Sequence, residues 1–166
     1  MKTRFPVVGA AVVGAVMFCA GIVVAPLLEA RGHAAGSWLR WAYRPLCHQL
    51  VGRSVELAGE PLAVCARCTG LYFGGLLGLV GAVLAGWGVR SPGPRRIWLL
   101  WALLPTALDA VLKILGNVPR MGVALPAGLA LGAFLGIGLN DLGRVMRPDR
   151  PSVEERKRWT RASPTC

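Results

Sequence analysis

Charged side chains are scarce in this chain of 166 residues: they make up 16% of it, whereas hydrophobic residues make up 54%. Soluble globular domains carry about 25% charged residues, so this composition excludes an ordinary soluble domain and predicts a membrane protein. Acidic residues are the scarcest, with 8 Asp and Glu against 19 Lys and Arg, which gives a net charge of +11. The length predicts a single domain.

A basic domain with the chemistry to read nucleic-acid bases is also missing. The Lys and Arg residues instead lie between the apolar segments and in residues 141–166. Basic residues in such places set membrane topology and attract anionic lipid head groups. We therefore expect membrane lipids as partners, and we do not expect nucleic acid.

Long apolar runs predict an all-α, polytopic membrane protein, because about 20 apolar residues are enough to span a bilayer. The first run is too long for the core of a signal peptide, which covers about 7 to 15 residues, and no clear small-residue cleavage site follows it. We therefore expect a single four-helix membrane domain over residues 1–142 and a polar, basic, cytoplasmic tail over 143–166. The four predicted spans are residues 5–28, 69–89, 97–115 and 121–140.

Aromatic and arginine residues alternate after the first span. Both kinds of side chain favour the level of the lipid head groups. The pattern predicts a short interfacial segment in the first outer loop, over residues 34–46. Its members are Trp38, Arg40, Trp41, Tyr43 and Arg44.

Small residues recur every four positions in the second and fourth predicted spans. Such stripes allow helix backbones to approach closely in lipid, so the two spans should pack together. The same faces would also suit a homo-oligomer. The stripes consist of Gly70, Gly74, Gly78, Ala82 and Gly86 in one span, and of Ala124, Gly128, Gly132 and Gly136 in the other.

Basic residues also predict the orientation in the membrane. The N-terminus, the loop over residues 90–96 and the tail together hold most of the 19 Lys and Arg residues. Cytoplasmic segments carry the excess of positive charge. The expected location is the inner (cytoplasmic) membrane of the cell, with both termini cytoplasmic and residues 47–70 at the outer surface.

Three of the five cysteines lie in residues 47–70, together with one of the two histidines. A C-x-x-C pair is common in structural zinc sites, and a Cys-His pair can complete a tetrahedral set. We predict a zinc site whose ligands are Cys47, His48, Cys65 and Cys68. Arg53 and Arg67 are expected to stabilise the thiolates from the surrounding shell.

Two other interpretations of the cysteines remain open, and the sequence does not say whether the protein is an enzyme. Thiols at an outer membrane face are readily oxidised, and the layout is similar to that of quinone-linked thiol-disulfide oxidoreductases of membranes. Those proteins use a second cysteine pair, however, which this chain lacks. The third interpretation is a static disulfide or inert thiols in a non-enzymatic structural or accessory protein.

Asp109 is an acidic residue inside a predicted span, where a carboxylate costs on the order of 3 kcal/mol. One explanation is a pair with Lys113, four residues further along the helix. The other is a role beside the cysteines, because Asp109 should lie at the depth where Cys68 enters the second span. Asn117 and Arg120 are expected to line the same outer pocket.

Several motifs resemble a family of small bacterial and archaeal proteins catalogued as domain of unknown function 2085. The CHQ at residues 47–49, VCARCTGLYFGGLLG, LPTALDA and an N-x-x-R pair carry the resemblance over roughly residues 40–140. It implies a membrane helix bundle with a shared Cys-His-Cys-Cys cluster and no established activity. One departure is that the family tends to have Asp-Gly and a nearby Gln, whereas this chain has Ala110 and Lys113. The residues that match are Cys47, His48, Gln49, Arg53, Ser54, Cys65, Arg67, Cys68, Gly70, Tyr72, Gly74, Asp109, Asn117 and Arg120.

Overall fold

The computed structural model describes residues 5–87, 96–112 and 115–145, which are mainly helical. Outside these residues lie most of the basic loop over residues 90–96, Lys113, and the tail from residue 146. The described elements in chain order are α1 (Phe5–Ala30), α2 (Ala34–Ala42), a 3₁₀ turn (Val51–Arg53), β1 (Glu56–Leu57), β2 (Glu60–Pro61), α3 (Ala66–Leu84), α4 (Arg96–Leu112) and α5 (Asn117–Val145).

Four of the helices lie where the four spans are predicted. Three of them contain stretches that are long and apolar enough to cross a membrane, over Val7–Ala30, Ala66–Leu84 and Asn117–Leu142. The apolar stretch of α4 is shorter, over Leu100–Asp109. Among the described residues, the structure therefore supports three membrane-spanning helices directly.

Glycines bring the backbones of α3 and α5 together, as the stripes of small residues predict. A Cβ atom added at Gly74 would overlap the carbonyl oxygen of Leu125, and one added at Gly132 would overlap that of Gly75. Residue numbers rise together along the contact, because Gly70 faces Met121 and Gly78 faces Leu129. The two helices are therefore parallel and form the centre of the bundle.

The other two long helices run in the opposite direction to α3 and α5. The Thr106 hydroxyl of α4 donates a hydrogen bond of 3.1 Å to the Val123 carbonyl of α5. In α1, Phe18 packs edge-on against Tyr72 of α3, with ring centroids 4.9 Å apart. The end of α1 therefore lies beside the beginnings of α3 and α5, together with the end of α4.

Helix α3 ends at Leu84, before the predicted limit at residue 89. Gly86 has φ +64°, a conformation that glycine adopts at little cost. The backbone N–H of Trp87 then reaches back to the Ala82 carbonyl at 3.1 Å, which closes the helix end. The Asn140 side chain of α5 donates to the Trp87 carbonyl at 2.9 Å and fixes this end to the neighbouring helix.

A buried apolar cluster lies where α1, α2 and the short β1–β2 hairpin meet. The Tyr43 hydroxyl donates a 2.6 Å bond to the Phe18 carbonyl inside α1. Helix α2 presents Trp38 and Trp41 outward, with 71% and 60% of their surfaces exposed. The buried members of the cluster are Ile22, Ala25, Tyr43, Cys47, Leu62, Ala63 and Val64, so this core supports the loop that carries Cys47.

Candidate metal centre

Two separate segments bring three cysteine side chains together. Cys47 follows α2 in a turn where its N–H donates to the Tyr43 carbonyl at 3.1 Å. Cys65 is the N-cap residue of α3, and Cys68 lies in the first turn of that helix. The sulfur atoms of Cys47, Cys65 and Cys68 all lie within 4.8 Å of one another. We call this group the thiol trio.

The thiol trio has the spacing and the hydrogen bonding of a metal-thiolate site. Tetrahedral zinc with Zn–S bonds of ~2.3 Å separates its sulfurs by about 3.8 Å, which lies within the 4.8 Å that bounds the separations in the trio. The backbone N–H of Cys65 donates to the Cys47 sulfur at 3.2 Å. Cys47 is buried, and Cys65 and Cys68 are half-buried. The three residues can therefore hold a metal ion.

Hydrogen bonds at the start of α3 favour the ionised form of Cys65. A bond from the Cys68 thiol is the main cause that lowers the pKa of Cys65, and backbone N–H groups and Cys47 add to it. Burial opposes the shift but is the smaller influence. A thiolate at a helix N-terminus also faces the positive end of the helix dipole. The same bond, together with burial, raises the pKa of Cys68, so Cys65 is the thiol of this pair that ionises first.

His48 is exposed, and the group of mutually close ligand atoms does not contain its ring nitrogens. The next residue, Gln49, has φ +50°, which is unusual for a residue with a side chain. Its side-chain amide donates to the carbonyls of Arg40 at 2.5 Å and Ala63 at 2.9 Å. The structure thus brings three of the four predicted ligands together and fixes the turn that follows His48.

Asp109 lies in a buried ion cluster that joins three helices. Its Oδ2 atom accepts bonds from Arg67 of α3 at 2.7 Å and from Arg120 of α5 at 3.0 Å. Arg120 also donates to the Leu115 carbonyl at 2.6 Å. The Asp109 side chain is only 2% exposed, and its carboxylate is not part of the thiol trio. Lys113, the predicted partner, lies outside the described residues.

The structure also locates the three remaining predicted residues, Asn117, Arg53 and Arg67. The Asn117 side chain donates to the Ser54 carbonyl at 3.1 Å, so the start of α5 is tied to the segment before β1. Arg53 is exposed. Arg67 is held by Asp109. The structure assigns Arg67 to the ion cluster, and the support of the thiolates by Arg53 and Arg67 stays a prediction.

A known protein family covers the region of the chain that holds this site. Residues 47–139, more than half of the chain, match the family described as a predicted membrane protein, domain of unknown function 2085. The chain belongs to this family. The matching region of domain of unknown function 2085 begins at Cys47 and includes the whole thiol trio and the ion cluster. The resemblance carried by the CHQ and C-x-R-C motifs is thus confirmed.

Two relatives of the chain are archaeal. An uncharacterized protein of Methanocaldococcus jannaschii is 31% identical over 106 residues, which cover 60% of this chain and 68% of the relative. An uncharacterized protein of Methanothermobacter thermautotrophicus is 31% identical over 97 residues, or 55% of this chain and 86% of the relative. No solved structure is significantly similar to the chain. Family membership therefore supports a membrane protein, and its activity has to be inferred from the site.

The contacts of Arg40 and of Gln49 were not predicted from the sequence. Glu29 at the end of α1 forms an ion pair with Arg40 of α2, and Arg40 also donates to the Pro61 carbonyl of the hairpin at 2.7 Å. The sequence does give one indication of the ion pair, because Glu29 is the sole acidic residue in residues 1–55. The bonds of Gln49 had no such signal beyond its place in the CHQ motif.

Proposed function

We propose that the protein is an integral membrane protein with four spans that holds a zinc ion at the thiol trio. The observation that carries the proposal is the convergence of Cys47, Cys65 and Cys68 from two separate segments onto one point. A disulfide would join only two of these sulfurs, whereas a metal ion can bind all three.

Four spans are supported by the directions of the helices. Because α1 and α4 run towards the thiol trio while α3 and α5 run away from it, a membrane crossed by α1, α3 and α5 is also crossed by α4. The exposed Trp38 and Trp41 rings of α2 would then lie at the level of the head groups. With the basic loop and tail on the cytoplasmic side, the thiol trio faces the outer surface.

Three thiolates suit zinc in charge as well as in spacing. With a divalent ion they leave one net negative charge, which the N-terminal end of α3 stabilises. Structural zinc sites usually have four protein ligands, whereas sites with three keep an open position for water or substrate. When bound, zinc at an open site makes its water a nucleophile near neutral pH. The arrangement is thus compatible with metal-assisted hydrolysis of a membrane-borne substrate.

A second candidate function is thiol-disulfide exchange by Cys65 and Cys68. The observation that favours it is the lowered pKa of Cys65 in a C-x-x-C pair at a helix N-terminus, which is typical of reactive cysteines. In this chemistry the two thiols lose two protons and two electrons and form one S–S bond. A membrane quinone would take up both protons and both electrons and become the hydroquinone.

Single substitutions at the cysteines test the zinc proposal. We expect about one zinc per chain in the purified wild-type protein, and little or none in Cys47→Ser, Cys65→Ser and Cys68→Ser. Cys19→Ser is the matched control, because this buried thiol lies in α1 and is not part of the trio. His48→Ala should lose less zinc than Cys47→Ser, since the His48 ring lies outside the group. The measurement is elemental analysis of the protein in detergent, combined with thiol counting.

Two outcomes would contradict this proposal. One is equal zinc content in Cys47→Ser and Cys19→Ser. The other is a wild-type protein without metal in which Cys65 and Cys68 form a disulfide, which would favour the redox function.

A further inference from the structure

Arg67 joins the thiol trio to the buried ion cluster of Arg67, Asp109 and Arg120. It lies between Cys65 and Cys68 in the first turn of α3. Its backbone N–H donates a hydrogen bond to the Cys65 side chain, while its own side chain donates to the Asp109 carboxylate of α4 at 2.7 Å. One residue therefore contacts a proposed metal ligand with its backbone and a neighbouring helix with its side chain.

The carboxylate that holds Arg67 is itself fixed in place. The Asp109 side chain is only 2% exposed, and its Oδ2 atom also accepts a bond from Arg120 of α5 at 3.0 Å. Arg120 is held in turn by the Leu115 carbonyl, at 2.6 Å. Hydrogen bonds between charged groups are strong and directional. The end of α4 and the start of α5 therefore determine where the Arg67 side chain lies.

The other half of the thiol trio has a support of its own. Cys47 is buried and follows α2, where its backbone N–H donates to the Tyr43 carbonyl at 3.1 Å. Cys65 and Cys68 are half-buried, and they flank Arg67 at the start of α3. The ion cluster is therefore placed to orient these two thiols rather than Cys47.

We propose that Asp109 is a positioning residue of the metal centre and acts through Arg67 on the first turn of α3. Residues that hydrogen-bond to metal ligands and orient them typically change the metal affinity by about 10- to 100-fold. Arg67 is such a residue, because a shift of its backbone moves the N–H group that bonds to Cys65. The inference rests on the proposed zinc centre, and it also accounts for a carboxylate inside a predicted span.

Arg67→Met tests the link and leaves a buried ion pair intact, because Asp109 keeps Arg120 as its partner. The measurement is the zinc dissociation constant of the full chain in detergent, by competition with a chelator of known affinity. We expect Arg67→Met to bind zinc about 10- to 100-fold more weakly than the wild type. Arg67→Lys keeps a positive charge to pair with Asp109 and should recover part of this loss.

Asn140→Ala is the matched control for a general loss of stability. The Asn140 side chain also joins α5 to the α3 segment, through bonds to the Ala82 and Trp87 carbonyls at 3.3 and 2.9 Å. These bonds lie at the opposite end of α3 from the thiol trio. Asn140→Ala should lower the unfolding midpoint and leave the zinc affinity at the wild-type value. An equal loss of zinc affinity in Arg67→Met and Asn140→Ala would overturn the proposal.

A double-mutant cycle separates positioning through the ion pair from independent effects of the two charges. Asp109→Asn alone should also weaken zinc binding, and Asp109→Asn/Arg67→Met should bind zinc no more weakly than the more affected single variant. Losses that multiply in the double variant would show that the two residues act on the trio separately, which contradicts the proposal. If Asp109→Asn does not fold, the comparison of Arg67→Met with Asn140→Ala decides.

The same titrations distinguish this inference from the zinc centre on which it rests. A wild type that binds no zinc would overturn both. A wild type that binds zinc with the same affinity as Arg67→Met would overturn this inference alone.

Discussion

Gly132→Leu is expected to separate α3 from α5 and to lower the stability of the bundle by about 3 kcal/mol or more. The carbonyl oxygen of Gly75 occupies the space where the Cβ atom of residue 132 would lie. Backbone cannot move aside as a flexible side chain can, so the helices themselves must shift. Gly74→Leu should have a similar effect, because its Cβ atom would overlap the Leu125 carbonyl from the other side of the same contact.

Thermal unfolding in detergent measures this effect, and Gly138→Leu is the control. Gly138 lies in the same helix as Gly132, is exposed, and has nothing within 4 Å of an added Cβ atom. We expect the midpoint of Gly138→Leu to stay near that of the wild type and the midpoint of Gly132→Leu to fall clearly below it. Similar midpoints for all three proteins would show that α3 and α5 do not touch in this way.

Asp109→Ala is expected to destabilise the protein by about 3–5 kcal/mol, because it leaves a buried positive charge without its partner. Most of this free-energy cost arises at Arg120, because its side chain is only 10% exposed. Arg67 is 31% exposed and can turn towards water, so its loss of a partner should cost less. The free energy of unfolding, or the unfolding midpoint in detergent, measures the effect.

The double variant Asp109→Ala/Arg120→Met separates a lost ion pair from lost packing. Removing both charges should recover much of the stability that Asp109→Ala loses, because no buried charge remains without a partner. If the double variant were less stable than Asp109→Ala, the ion cluster would not be the reason for the charge inside α4.

The helices were predictable because their signal is local. An apolar run of sufficient length in this composition predicts a membrane helix, and four helices lie at the predicted places. Small residues at every fourth position predicted the contact of α3 with α5. They form a stripe on one face of each helix, and two such faces allow the backbones to approach closely. The end of α3 at Leu84 was less predictable, because it depends on the positive φ of Gly86 and on the bonds of Asn140.

The thiol trio was predictable from spacing, and the exclusion of His48 from it was not. A C-x-x-C pair at the start of a helix places Cys65 and Cys68 on neighbouring turns, and Cys47 was the remaining cysteine of the segment. Gln49, the next residue, has a positive φ, and its side chain is held by hydrogen bonds to the carbonyls of Arg40 and Ala63. No local pattern encodes such bonds.

The partners of Asp109 were likewise not predictable from local sequence patterns. Sequence spacing offered Lys113 of the same helix as one of two explanations, and the described residues supply Arg67 and Arg120 from two other helices. Periodicity tells which residues share a helix face, but the neighbour of that face depends on how the helices pack. Both arginines were identified as relevant residues, and only their roles required the structure.

X-ray absorption at the zinc edge of the purified full-length protein tests the central claim most directly. We expect about one zinc per chain, with three sulfur neighbours at ~2.3 Å, and loss of this signal in Cys47→Ser. A wild-type protein that binds no zinc while Cys65 and Cys68 are joined by a disulfide would contradict it.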